Sequence, residues 1–290
     1  MKKICLLLLL ILSSLSLTAV ESKDQQSGKV LVTIAPYRYF VHRIAGDLVT
    51  VDLLVPKGAS SHSYEPSPRQ MISVSKADIW FKMGESMEAR ALPALKSHNP
   101  NLVVVDLQQG LDLIEGHCHH GAHYCHESID LHFWLSPLQA KIQAKTIAEA
   151  MIKVYPEKKA VFEDNLQKFL VDLETLHQQI TTILSLLKER TILVGHPAFG
   201  YFCRDYQLKQ LSIEFEGRDP TPKQLTNIIQ TAKDLKIRTI FIQEQYSNKG
   251  AKLIAEELGA KTVYADPYAE NYPEALKKFA EHIAQQQDAV

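Results

Sequence analysis

The chain has 290 residues, 46% hydrophobic and 22% charged, with a formal net charge of −1 when histidine is neutral. That composition is globular and long enough for one large domain or two lobes. The balanced charge excludes a basic nucleic-acid face and an acidic tail, so no nucleic-acid partner is expected.

The N-terminus, "MKKICLLLLLILSSLSLTAVES", places two lysines before an apolar run from Ile4 to Leu12, followed by small and polar residues. This is the pattern of a secretory signal peptide, expected over residues 1–22 with cleavage between Thr18 and Lys23. The apolar run is too short to span a bilayer. Cys5 lies inside that run, whereas a lipid-anchoring cysteine follows it, so no lipobox is read. No later segment has eighteen uninterrupted apolar residues. The mature protein is expected to be exported to the periplasm, soluble and monomeric.

Four short apolar runs then alternate with helical spacing. "KVLVTIA" from Lys29, "TVDLLV" from Thr50, "DIWFKM" from Asp78 and "LVVVDL" from Leu102 read as strands. Tyr39 to Gly46 and Pro68 to Ala77 carry helical spacing between them. Near-continuous apolar strands separated by helices imply a parallel sheet covered on both faces.

"EGHCHHGAHYCHESIDLHFW", Glu115 to Trp134, holds six histidines and two cysteines. Beyond it, "SPLQAKIQAKTIAEAMIKVYP" is helical, with Ser136 as N-cap and Pro137 at the first helical position. From Glu157 to about Glu189 the leucines and isoleucines at 166, 170, 173, 176, 180, 183 and 187 recur at steps of three and four, without Gly or Pro. One unusually long helix is expected there, either an ordinary amphipathic helix or a strut between lobes. The strand–helix alternation then resumes with "TILVG" (Thr191 to Gly195), "LKQLSI" (Leu208 to Ile213), "IRTIFIQ" (Ile237 to Gln243) and "AKTVYA" (Ala260 to Ala265). Pro222 to Leu235 and Gly250 to Leu258 read as helices between them. The expected fold is therefore α/β, with an N-terminal lobe over 29–156, a linking helix over 157–189 and a C-terminal lobe over 190–286.

Open parallel sheets bind ligands outside the carboxyl ends of their strands. His196 follows "TILVG" directly, Asp266 follows "AKTVYA", His62 lies a short loop beyond "TVDLLV", and His132 sits just before a helix. If the halves face one another, these four converge in the crevice. Three imidazoles and one carboxylate suit Zn²⁺, and also Mn²⁺ or Fe²⁺. A site filled wholly by protein ligands binds and does not catalyse. Singly, none of the four is diagnostic, because a histidine at a strand end is ordinarily a surface or hydrogen-bonding residue. Glu65 and Asp130 are expected to be solvated or to orient an imidazole. His42, His98, His177 and His282 stand alone and are assigned to structure or solvent.

Taken together, "GASSHSYEPSP", "DLHFWLSP" and "GHPAFGYFCRDYQL" resemble the periplasmic zinc- and manganese-binding proteins of ABC importers, the cluster A-I substrate-binding proteins. The resemblance covers nearly all of the mature chain. It implies two α/β lobes, each with a parallel sheet flanked by helices, joined by one long rigid helix, with the metal site between them. It implies His62, His132, His196 and Asp266 as ligands, with Glu65 as an extra or substitute ligand. Its expected partners are a membrane permease and a cytoplasmic ATPase. Three departures stand out: two serines where Asp-Pro often precedes the first histidine, Glu244-Gln245 in place of a common Glu-Pro pair, and Cys203 where a small residue is usual.

Within that family a His-rich loop marks the zinc-specific members. Here residues 116–128 carry His117, His119, His120, His123 and His126, expected to hold a second cation weakly. Cys118 and Cys125 either form a short disulfide or supply thiolates, leaving Cys203 over. The expected function is capture of Zn²⁺, with Mn²⁺ or Fe²⁺ as alternatives, and no catalysis. A zinc hydrolase would need an open coordination position, and there is no H-E-x-x-H motif. A surface adhesin would need retention at the cell surface, and a redox role would need C-x-x-C, which is absent.

Overall fold

The computed structural model describes residues 28–116, 128–214 and 219–286. The expected signal peptide, the five loop histidines, and Cys118 and Cys125 lie outside these residues.

The first lobe runs β1 (Gly28–Val32), α1 (Ala35–Ala45), β2 (Val49–Leu53), α2 (Pro68–Val74), β3 (Ile79–Lys82), α3 (Ser86–His98) and β4 (Val103–Asp106). Its strands form one parallel sheet in the order β2-β1-β3-β4. A two-stranded ribbon follows, β5 (Glu115–Gly116) against β6 (Ser128–Ile129), antiparallel. Then come α4 (Pro137–Val154) and α5 (Lys159–Leu184). The second lobe runs β7 (Thr191–Val194), α6 (Gly200–Asp205), β8 (Lys209–Ser212), α7 (Pro222–Asp234), β9 (Thr239–Ile242), α8 (Lys249–Leu258), β10 (Lys261–Tyr264) and α9 (Tyr272–Gln285). Its parallel sheet has the order β10-β9-β7-β8.

The two sheets have the same topology. In each, the first strand is central, the second lies to one side, and the third and fourth to the other. The point where the chain changes direction, between β1 and β3 and again between β7 and β9, is where such sheets open a ligand crevice. All eight expected strands are present, with ends that differ from the expected ones by up to three residues. The central strands are the most buried, with every residue of β9 inside, whereas the edge strand β10 is mostly exposed.

Local chemistry places the helix starts. Ser67 and Ser136 side chains accept from Gln70 N and Gln139 N at 3.3 and 3.0 Å, each with proline at the first helical position. Thr221 and Gln224 form a capping box ahead of α7. The long helix α5 has 26 residues, a length of about 39 Å. It is shorter than the pattern predicts. A 3-10 turn over Pro156–Lys158 precedes it. At the other end Ser185 Oγ donates to Thr182 O at 2.8 Å and Arg190 reaches Leu184 O at 3.3 Å, so side chains satisfy the last carbonyls and the helix stops.

α5 packs on α1, α4 and α9, and so touches both lobes. Around it Phe40 of α1 meets Phe169 of α5 and Tyr272 of α9 edge-on, at ring separations of 5.2 and 5.0 Å. One buried cluster runs without a break from Val30 and Trp80 in the first lobe to Phe202, Phe241 and Phe279 in the second. A smaller cluster, including Leu193, Ile240 and Ile254, lies within the second lobe. Lobes that share a core are restrained from swinging wide, since opening them would expose apolar surface at roughly 25 cal/mol per Å².

Candidate metal centre

Residues from both lobes meet at one point in the crevice. Among the described residues, one group could hold a metal ion: His62, His132 and His196, whose ring nitrogens all lie within 4.8 Å of one another. His196 stands two residues past β7, and His62 in the loop between β2 and α2. His132 stands at the turn before α4. His132 Nε2 is 3.3 Å from His62 Nε2 and 3.3 Å from His196 Nε2. Ligands about 2.0–2.1 Å from a tetrahedral zinc are separated by roughly 3.3–3.4 Å, so the spacing is that of two tetrahedron edges.

The opposite ring nitrogens explain why Nε2 is the one that points inward. Each Nδ1 faces a carboxylate. His62 Nδ1 lies 3.0 and 3.2 Å from the two oxygens of Glu85. His132 Nδ1 lies 2.8 Å from Asp130 Oδ1, and His196 Nδ1 pairs with Glu214. A carboxylate accepts, so each Nδ1 keeps its proton and each Nε2 presents a lone pair. Three lone pairs converging at this distance repel one another unless a cation or a proton stands between them. This is the outer ring of support that orients imidazole ligands in metal sites.

Burial and charge then set the rings apart. His132 and His196 are 4% and 7% exposed, whereas the His62 side chain is 33% exposed. Burial depresses His196, only partly offset by its bond to Glu214, and its pKa falls to about 4. Burial also works against charge on His62, but the hydrogen bond and charge of Glu85 outweigh it and raise the pKa above the ordinary imidazole value. Burial pushes the Glu85 carboxyl up, and the His62 and Ser61 bonds bring it below the usual range. His62 lines two open clefts, of 530 Å³ on the Lys82–Asp106 side and 520 Å³ on the Tyr246–Asp219 side.

The surrounding residues hold these groups in place. The Gln243 side chain accepts from His196 N at 2.9 Å and donates to His196 O at 3.2 Å, clamping the backbone of that residue. The Tyr246 ring lies flat on the His196 ring at 3.8 Å and 7°. Asp130 also accepts from His132 N at 2.9 Å. Glu88, almost fully buried, accepts from the backbone N–H groups of Met83, Gly84 and Glu85, and so shapes the turn that delivers Glu85.

Two expected site residues stand elsewhere. Glu65 is exposed and ion-paired with Arg90. Asp266 is not a member of the histidine cluster. Its Oδ1 accepts from Gln245 Nε2 at 2.8 Å and from Tyr268 N at 2.9 Å, bonds that hold the turn after β10. Asp130 takes the orienting place expected of it. Glu85 and Glu214 do the same work, standing three residues past β3 and two past β8. The strand-end rule that singles out His196 applies equally to them.

Residues 30–286 match the family described as zinc-uptake complex component A, periplasmic (ZnuA). A putative metal-binding protein of Chlamydia trachomatis serovar D is 32% identical over 270 residues, covering 91% of this chain and 94% of that one. The high-affinity zinc uptake system protein ZnuA of Bacillus subtilis is 30% identical over 257 residues, covering 83% of this chain and 79% of that one. Among solved structures, a crystal structure of ZnuA superposes with a TM-score of 0.84 at 37% identity, covering 90% of this chain and 99% of that one.

Proposed function

The chain belongs to the family of periplasmic zinc-uptake complex component A proteins, and on that premise we propose that it captures Zn²⁺ through His62, His132 and His196 and hands it to an ABC permease. It is a receptor and not an enzyme, and its place is outside the cytoplasmic membrane. The observation that carries this reading is the convergence of three Nε2 atoms, each backed by a carboxylate on its far nitrogen.

A protein ligand set of three neutral imidazoles with a net-zero charge favours borderline-soft Zn²⁺ over Mn²⁺ or Fe²⁺. The transport energy comes from the ATPase behind the permease. The receptor supplies selectivity and a high local occupancy, and works as a monomer carrying one tightly held cation. The leader over residues 1–22 is removed on export, and the lobes are bounded at 29–156 and 190–286 with the linking helix between. Asp266 or a solvent molecule supplies the fourth ligand when the ion is bound. The imidazoles of residues 116–128 collect further zinc weakly, as their density in the sequence suggests.

Native mass spectrometry of the mature chain, offered Zn²⁺, Mn²⁺ and Fe²⁺ together, tests this reading. One zinc held per monomer, retained after deletion of residues 116–128, is the expected result. Preferred uptake of manganese or iron overturns the choice of metal, and the lack of any tight ion overturns the receptor reading.

A further inference from the structure

The lobes are joined across the crevice by an uninterrupted run of hydroxyl groups. Ser61 Oγ donates to Glu85 Oε1 at 2.6 Å. Ser61 Oγ is 3.0 Å from the hydroxyl of Tyr268, and that hydroxyl is 3.0 Å from the hydroxyl of Tyr246. Each hydroxyl has a single proton to donate. Glu85 only accepts, so the Ser61 proton is committed to it. Ser61 must then accept from Tyr268, and Tyr268 from Tyr246. The direction of the whole chain follows from its carboxylate end.

Both ends of the chain reach a histidine of the metal centre. At one end, Glu85 holds Nδ1 of His62. At the other, the Tyr246 ring is stacked on His196. Ser61 and Glu85 belong to the first lobe, Tyr246 and Tyr268 to the second. Ser61, Glu85 and Tyr268 are 0%, 4% and 6% exposed, so water competes poorly for these bonds. Asp266 finds its use here, since its bond to Tyr268 N holds the turn that carries the tyrosine to Ser61.

We propose that Ser61 and Tyr268 are positioning residues, whose hydroxyl chain across the crevice sets His62 of one lobe against His196 of the other. The proposal rests on the reading of His62, His132 and His196 as ligands. The separation of His62 from His196 is set when the lobes are apposed, and the exposed ring of His62 is held in the orientation that a cation needs.

The test is zinc affinity of the mature chain, by competition with a chromophoric chelator, for Tyr268→Phe, Ser61→Ala and the pair, with His132→Ala as control. Tyr268→Phe removes one oxygen atom and leaves the ring against Trp134, and zinc-free melting curves verify folding. Each single change is expected to lower affinity about tenfold, the worth of one hydrogen bond in a chain ending on a charge. The double variant is expected to lose no more than the larger single loss, because both break one chain. In a His62→Ala background, Tyr268→Phe is expected to have no effect. Unchanged affinity in the single variants overturns the proposal, as do additive losses or an equal loss without His62, which would mark general packing. Tight zinc retained by His132→Ala overturns the ligand reading itself. Loss in His132→Ala with none in Tyr268→Phe overturns the latch alone.

Discussion

His196 and His62 approach the same point from opposite lobes, with different support. His196 stands two residues past β7, which is buried over its last three residues, with its backbone clamped by Gln243 and its ring covered by Tyr246. His62 stands in the loop that joins β2 to α2, exposed to two clefts, with Glu85 behind it. One side of the centre is preset and neutral, the other is open and easily charged. All three imidazoles stand in place, and His62 is the one that faces solvent, so His62 is expected to be the first ligand lost when the ion leaves.

Removing ligands tests the asymmetry most strongly. A structural zinc site stabilised by about 10–16 kcal/mol over four ligands assigns each roughly 3–4 kcal/mol, or two to three decades of affinity. His196→Ala and His132→Ala are expected to lose that much, and His62→Ala about a decade less, read by chelator competition. Equal losses at all three positions would remove the distinction between the two sides. Next come the carboxylates. Glu214→Gln places an amide against His196 Nδ1 and no longer selects the tautomer that presents Nε2, for an expected loss of about 10–100-fold. Isothermal titration at neutral pH reads it. A loss below threefold would mean that the Gln243 clamp alone orients His196.

Acidification sharpens the same comparison. Zinc requires neutral imidazole. His62, with its raised pKa, takes up a proton before His196, whose pKa is about 4. Affinity is therefore expected to be flat above the His62 pKa and to fall about tenfold per pH unit below it. Protonation of His196 adds to the slope near pH 4. In the zinc-free protein the two act oppositely on stability. The His62–Glu85 contribution is complete below the ordinary imidazole value and is lost as pH rises through the raised pKa. The His196 contribution is complete above the ordinary value and is lost as pH falls toward about 4. Affinity titrations from pH 4 to 8 decide between this order and a slope of two or three from the outset.

The same contrast governs what the sequence could reveal. Most strands were legible as short β-branched or aromatic runs inside a parallel sheet, and three helix starts because Ser67, Ser136 and Thr221 each stand before a proline. His196 was legible because strand ends face the crevice. The carboxylates behind the rings were less so. Asp130 is two residues from His132, close enough to suspect, but Glu85 is 23 residues from His62 and Glu214 is 18 from His196. Only the packing of the strands brings them together. Asp266 and Glu65 show the converse. A strand end or an adjacent motif gives position along the chain, whereas the direction of a side chain depends on partners such as Gln245, Tyr268 and Arg90.

The smallest expected effect concerns the preset side and is one of stability. Gln243 is fully buried, and its amide satisfies both backbone groups of His196. In Gln243→Ala the His196 N–H loses its partner with little access to water, while His196 O keeps Ala198 N at 2.8 Å, at a cost of about 1–3 kcal/mol. Urea denaturation of the zinc-free protein is expected to show that cost as a lower midpoint with unchanged slope. On the open side, Ser63 lies exposed in a turn held by backbone bonds to Ser60 O, at 3.3 Å from Ser63 N and 3.0 Å from Tyr64 N. Ser63→Ala leaves those bonds intact, so its stability is expected to change by less than about 0.5 kcal/mol. If both substitutions were neutral, the rigidity of the His196 side would come from the Tyr246 stack and the strand itself, and the amide clamp would be incidental.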